Sequence, residues 1–173
     1  YPKAFVVWNI LGAANLNLKL NEKASNAFRK VTELNPNYAD GFNNLGVTLK
    51  NQGNYDEAIE AFNKALSIKP NYAEAYMNIG NALRDQHNFE EAINAYNRAI
   101  TFKPDYADVC YNMGLTYQQI NKLDEAIFSY KKTILNIDKN NDINNNNNNN
   151  NRTKFFSILN SYIFLINNIN IIV

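Results

Sequence analysis

All four prolines of the chain fall on one 34-residue register, at Pro2, Pro36, Pro70 and Pro104. Four of the six glycines keep the same step, at Gly12, Gly46, Gly80 and Gly114, with alanines twelve residues on at Ala24, Ala58, Ala92 and Ala126. An aromatic residue then recurs at Phe28, Phe62, Tyr96 and Tyr130. One short stretch appears in four versions: WNILGAANL from Trp8, FNNLGVTL from Phe42, YMNIGNAL from Tyr76 and CYNMGLTY from Cys110. A fixed period of this length marks a chain built from stacked copies of one supersecondary unit.

Each unit reads as two helices. Phe42, Leu45, Gly46 and Leu49 are spaced i, i+3, i+4, i+7 and so share one helical face. Asn51-Gln52-Gly53-Asn54 breaks the pattern, and Gly53 suits the left-handed conformation that ends a helix. Ala58, Ile59, Phe62, Ala65 and Leu66 then define a second helix, closed at Pro70, which has no N–H for the next helical bond. Gly46 and Ala58 are expected to face each other where the helices approach closely. A single hairpin cannot cover its own apolar faces, so neighbouring units must, and a solenoid is expected.

These residues resemble the tetratricopeptide repeat, whose 34-residue pattern has W, L, G, A, F and P where this chain has Trp8, Leu11, Gly12, Ala24, Phe28 and Pro36. The next two repeats fit through Phe42, Leu45, Gly46, Tyr55, Ala58, Phe62, Ala65 and Pro70, and through Tyr76, Ile79, Gly80, Phe89, Ala92, Tyr96, Ala99 and Pro104. The resemblance implies an all-α, right-handed superhelical solenoid. Repeats are placed at 5–38, 39–72, 73–106 and 107–138. Residues 1–4, ending in front of the first repeat and carrying Pro2 at the closing place, read as the end of a preceding repeat. Asn15 and Ser25 replace residues that are apolar elsewhere, which predicts a looser first hairpin. Thr133 and Asp138 depart from the pattern in the fourth repeat, where the array is expected to end.

Composition offers little catalytic material. The 17 basic and 16 acidic residues are interspersed and sum to +1, giving no electrostatic footprint for nucleic acid and no basic strip for an anionic membrane. His87 is the one histidine, so a multi-histidine zinc site or a Ser/His/Asp triad has no components within this chain. The acidic pairs Asp56-Glu57, Glu90-Glu91 and Asp124-Glu125 open the second helices, where carboxylates favour the positive end of the helix dipole. Cys110 stands at an aromatic place and reads as core packing. No catalytic residue, metal site or cofactor is assigned.

In tetratricopeptide arrays the first helix of each repeat, helix A, lines a concave groove, with places 2, 5, 6, 9, 12 and 13 pointing into it. Asn44, Asn78 and Asn112 share place 6 and would form a ladder, flanked by Asn43 and Asn81. An asparagine amide offers one acceptor and a donor pair, matching a peptide backbone. The run AEAYMNIGNAL, Ala73 to Leu83, is similar to repeats in the tetratricopeptide arm of O-linked N-acetylglucosamine transferases, in which asparagines form such a ladder. The first repeat has Ile10 there, so the ladder is interrupted. Asparagine at this place is also common as a plain solvated residue, and both readings stand. Val47, Met77, Tyr111 and Leu115, with Leu16, would select side chains. Lys50 and Arg84 are the groove's main cations, and Asp40, Glu74 and Asp108 edge it with negative charge. Places 2, 5, 6 and 9 hold no Lys or Arg, which argues against the terminal-carboxylate clamp of chaperone-binding relatives.

Residues 139–154 are an Asn-rich low-complexity linker, and 155–173 are apolar and uncharged. That last segment admits three readings: a C-terminal helix on the final repeat, a membrane anchor argued against by its four asparagines, or AT-rich coding sequence. The expectation for the whole is a non-catalytic scaffold binding an extended peptide or partner protein. The alternative is the recognition arm of a larger enzyme such as a glycosyltransferase. Partners are then protein or peptide rather than nucleic acid or membrane, with end-to-end self-association as a further option. The single cysteine is compatible with the cytoplasm.

Overall fold

A computed structural model describes residues 2–143 and Asn160. The described residues form eight helices: α1 (Pro2–Asn17), α2 (Asn21–Leu34), α3 (Ala39–Asn51), α4 (Tyr55–Ile68), α5 (Ala73–Asp85), α6 (Phe89–Phe102), α7 (Ala107–Gln119) and α8 (Leu123–Ile143). They pair as antiparallel hairpins, α1 with α2, α3 with α4, α5 with α6 and α7 with α8. The chain divides into two compact units, Tyr1–Phe102 and Lys103–Val173. The expectations for 144–159 and 161–173 lie outside the described residues.

The turn inside each hairpin is made the same way. Lys19, Gly53, His87 and Asn121, one register apart, all have positive φ, at 58°, 82°, 64° and 58°. The next residue's N–H reaches back five residues, as in Asn54 N to Leu49 O at 3.0 Å and Asn88 N to Leu83 O at 2.9 Å. Each left-handed residue also donates three residues back, as in Gly53 N to Lys50 O and His87 N to Arg84 O, both 2.9 Å. These are Schellman closures, which satisfy the last carbonyls of the first helix. Only Gly53 adopts that conformation without a Cβ penalty.

Between hairpins, tight turns over 35–38 and 69–72 carry Pro36 and Pro70, with Tyr38 N donating to Asn35 O and Tyr72 N to Lys69 O, both 3.2 Å. Pro2 behaves differently and opens α1, a position where its missing N–H costs nothing. At the other end α8 runs through Asp138 to Ile143, five residues into the stretch expected to be linker. Asp138 keeps the N–H that proline lacks at the corresponding place of the other repeats.

The glycine register serves a different neighbour from the one expected. A Cβ on Gly46 would lie 2.5 Å from the Phe62 ring, one on Gly12 2.8 Å from Phe28, and one on Gly114 2.5 Å from Tyr130, while Gly80 stands equally close against Tyr96. Glycine on the first helix thus seats the aromatic ring of the second, and that ring rather than Ala58 is what it faces. All four rings are fully buried. In the first unit the core gathers Phe28, Val31, Leu45, Leu49, Phe62 and Ile79, with Trp8 and Leu16 packed on it. The second unit centres on Ala126, Tyr130 and Ile137.

The first hairpin accommodates its polar substitutions by local bonds. Buried Asn15 donates from Nδ2 to Leu11 O at 2.9 Å, and buried Ser25 donates to Glu22 O at 3.0 Å. Ser25 Oγ also accepts from Gln52 Nε2 at 3.3 Å, a tie to the next hairpin.

Candidate functional site

The A-helix side of the first unit carries most of the residues expected to line a groove. Asn44, Val47, Lys50, Met77, Asn81 and Arg84 are all partly exposed on α3 and α5. Val47 and Lys50 lie one turn apart on α3, as do Asn81 and Arg84 on α5, so each pair shares a helical face.

Asn43 and Asn78 are elsewhere. Asn43 is 1% exposed and Asn78 7%, and they bond to each other, Asn78 Nδ2 donating to Asn43 Oδ1 at 3.0 Å. Asn43 Nδ2 in turn donates to Glu74 Oε1 at 3.3 Å. The ladder expected of Asn44, Asn78 and Asn112 is therefore broken at Asn78, which is buried, and buried Asn43 does not flank it. The reason is geometric: helix A of an inner repeat packs against its own second helix and against neighbouring hairpins as well. In α3 the buried residues are Ala39, Gly41, Asn43, Leu45, Gly46, Thr48 and Leu49, an arc too wide for a single stripe.

Other polar groups of this side also have internal partners. Tyr96 donates its hydroxyl to Asn81 Oδ1 at 2.8 Å. Burial first, then the neighbouring carboxylates of Asp40 and Glu74, push the Tyr72 phenol far above the ordinary range. Glu74, expected to edge the groove, thus ties its repeat to the preceding one through Asn43, while Asp40 lies beside Tyr72 of its own repeat.

The cations are arranged asymmetrically. Lys50 Nζ lies 3.9 Å from Asp85 Oδ2, and Arg84 Nη2 3.2 Å from Asp85 Oδ1. Two positive side chains share one carboxylate, all three between one-fifth and one-third exposed. Arg84 Nη1 is buried with no hydrogen-bond partner among the described residues. The sequence reading named both cations but not Asp85, whose position next to Arg84 at the end of α5 was the available signal.

In the second unit Tyr111, Asn112 and Leu115 are half-buried on α7. Tyr111 and Leu115 pack against the core, Tyr111 with its ring 5.9 Å from that of Tyr130. Cys110 is buried, its thiol pushed up by burial, with Asn136 Nδ2 3.7 Å from Sγ. His87 is an exposed turn residue, its ring 5.7 Å from Phe89. No helix of the described residues is long and apolar enough to cross a membrane.

Four hairpins of one register, each seating an aromatic ring on a glycine, define an all-α helical repeat array. Family models described as "Tetratricopeptide repeat" match residues 6–38, 39–72, 61–94 and 107–137, and one described as "TPR repeat" matches 80–121. The chain belongs to the tetratricopeptide repeat family.

Among solved structures, it is similar to a MamA protein at 30% identity, over 78% of this chain and 73% of that one, with a TM-score of 0.67. A second MamA structure gives 25% identity over 80% and 81% of the two chains at a TM-score of 0.72. PilW, titled a widely conserved type IV pilus biogenesis factor, gives 26% over 79% and 64% at 0.72. No curated protein sequence matches the chain.

Proposed function

We propose that this chain is a non-catalytic scaffold whose A-helix side holds an extended peptide of a partner protein, with an acidic residue of that peptide at Lys50 and Arg84. The observation that carries the reading is the shared carboxylate: Asp85 alone serves two partly exposed cations, Lys50 at 3.9 Å and Arg84 at 3.2 Å. A peptide carboxylate supplies a second acceptor, met by a charge-assisted hydrogen bond from either cation. Asn44, half-exposed on α3, presents an amide to the peptide backbone, while Val47 and Met77 meet side chains. Tyr111, Asn112 and Leu115 repeat the same places on α7. Preformed helices keep the ordering cost of binding low.

The asparagine ladder contributes less than its sequence suggests, since Asn78 already bonds Asn43. The likeness of Ala73–Leu83 to a glycosyltransferase arm loses support for the same reason, and the scaffold reading is preferred. Selection from a random peptide display library tests it. Enriched peptides should carry an acidic residue and lose binding to Lys50→Glu/Arg84→Glu, with Asn44→Ala weakening them further. Failure to enrich any peptide, or equal binding to the charge-reversed variant, sinks the reading.

A further inference from the structure

Between α2 and α4, over α3, lies a cavity of about 230 Å³ that the peptide reading does not use. Its floor is apolar: Phe42, Leu45 and Leu49, at i, i+3 and i+7 on α3, and Ala61 of α4. At 3.6 residues per turn that stripe lies on the opposite side of α3 from Asn44, Val47 and Lys50. The rim is charged. Arg29 of α2 meets Glu57 of α4, Nη2 to Oε2 at 3.0 Å, both half-exposed. Glu60 and Lys64, one turn apart on α4, also line the cavity, are exposed, and make no ion pair among the described residues. The 34-residue register does not repeat this rim. Sister repeats have Asn26, Asn94 and Phe128 at the place of Glu60, and the two following repeats have Asn63 and Asn97 at the place of Arg29. Packing of the array therefore does not by itself require these charges.

We propose that this cavity takes one apolar side chain of a partner protein, leucine or phenylalanine in size, whose chain neighbours bring a basic group to Glu60 and an acidic group to Lys64. Size argues for a single side chain. A cavity of about 150 Å³ holds benzene, and pockets for whole drug-sized molecules begin near about 300 Å³. The space here falls between the two and is open to solvent, so a chain can continue past it on either side. Charge argues for the flanks. Two cations, Arg29 and Lys64, balance two carboxylates, Glu57 and Glu60, which gives no net attraction for a polyanion. Arg29 and Glu57 satisfy each other, which leaves one free charge of each sign. An apolar floor inside a polar rim is the arrangement that seats the anchor residue of a protein contact. The site is independent of the peptide reading, which rests on Lys50 and Arg84.

The test is an amide NMR titration of the full chain with two capped tripeptides, acetyl-Lys-Leu-Glu-amide and acetyl-Glu-Leu-Lys-amide, which present the flanks in either chain direction. Titration to about 10 mM registers a site built on one buried side chain. At least one tripeptide should give saturable shifts at Leu45, Leu49 and Ala61. Serine in place of the central leucine should weaken it by about tenfold or more. Ala61→Met, which fills the cavity, should abolish the shifts. Glu60→Ala/Lys64→Ala alters two exposed residues, so it should keep the parent's helical circular dichroism and bind severalfold more weakly, and it carries the test should Ala61→Met lose helix. Lys50→Glu/Arg84→Glu should bind as the parent does, which separates this site from the peptide reading. Absence of shifts with both tripeptides overturns the proposal. So does equal binding of the leucine and serine probes, tighter binding of free leucine than of either tripeptide, or parent-like binding by Glu60→Ala/Lys64→Ala.

Discussion

Replacing Asn43 by alanine removes the centre of the chain Glu74–Asn43–Asn78. Asn43 is 1% exposed, accepts from Asn78 Nδ2 at 3.0 Å and donates to Glu74 Oε1 at 3.3 Å. Glu74 is exposed and regains water, so its lost partner costs little. Asn78 is 7% exposed and keeps a buried amide with no acceptor. An orphaned buried donor costs about 1–3 kcal/mol, and we expect about 2 kcal/mol for the substitution. In an array of this size that lowers Tm by roughly 4–8 °C. Asn44→Ala, one residue along and half-exposed, should stay within about 0.5 kcal/mol of the parent. Urea and thermal unfolding by circular dichroism measure both, and Asn43→Ala/Asn78→Ala should be less destabilised than the sum of its singles. Equal stability of Asn43→Ala and Asn44→Ala would refute the assignment of the buried pair.

His87 at φ 64° bears a left-handed penalty that Gly53 at φ 82° escapes, so His87→Gly should stabilise and Gly53→Ala destabilise, each by about 1 kcal/mol in urea titration. Gly46→Ala puts a methyl against the buried Phe62 ring and should cost about 2 kcal/mol or more, with Gly46→Ala/Phe62→Leu partly recovering Tm. The buried Cys110 thiol, raised by desolvation, should resist a thiol-specific chromogenic reagent at pH 8 until denaturant unfolds the second unit. Tyr72 has its folded pKa raised, so the unfolded chain ionises first as pH passes about 10. Its contribution to stability is complete below that pH and declines above it, and Tyr72→Phe should flatten the fall in Tm measured from pH 8 to 11.

The hairpins were legible because four copies of one pattern repeat the same punctuation. Gly53 announced its turn alone, yet the register extends its left-handed conformation to Lys19, His87 and Asn121, none of which would suggest it individually. The glycine at Gly46 signalled a close approach, but periodicity within a helix does not say which residue of the partner helix comes near. Phe62, four residues past Ala58 and so on the same face, was the neighbour that fills the gap.

The candidate site was less legible, because both ligand and neighbouring repeat call on the same side of helix A. Asn43 and Asn44 are chemically identical and adjacent, and only the approach of α5 makes one a buried joint and leaves the other half-exposed. The spacing from Asn43 to Asn78 is one register plus one, which a search for residues exactly in register passes over. The same competition fixes where a peptide can gain. Displacing the Asn43–Asn78 bond would open a buried pair at a cost of kilocalories, whereas a half-exposed ion pair is worth only about 0–1 kcal/mol to disturb. Asp85 holds its two cations in that second regime. Recognition on this side is therefore expected to begin at Lys50 and Arg84, with the buried asparagines setting the spacing of the helices that carry them.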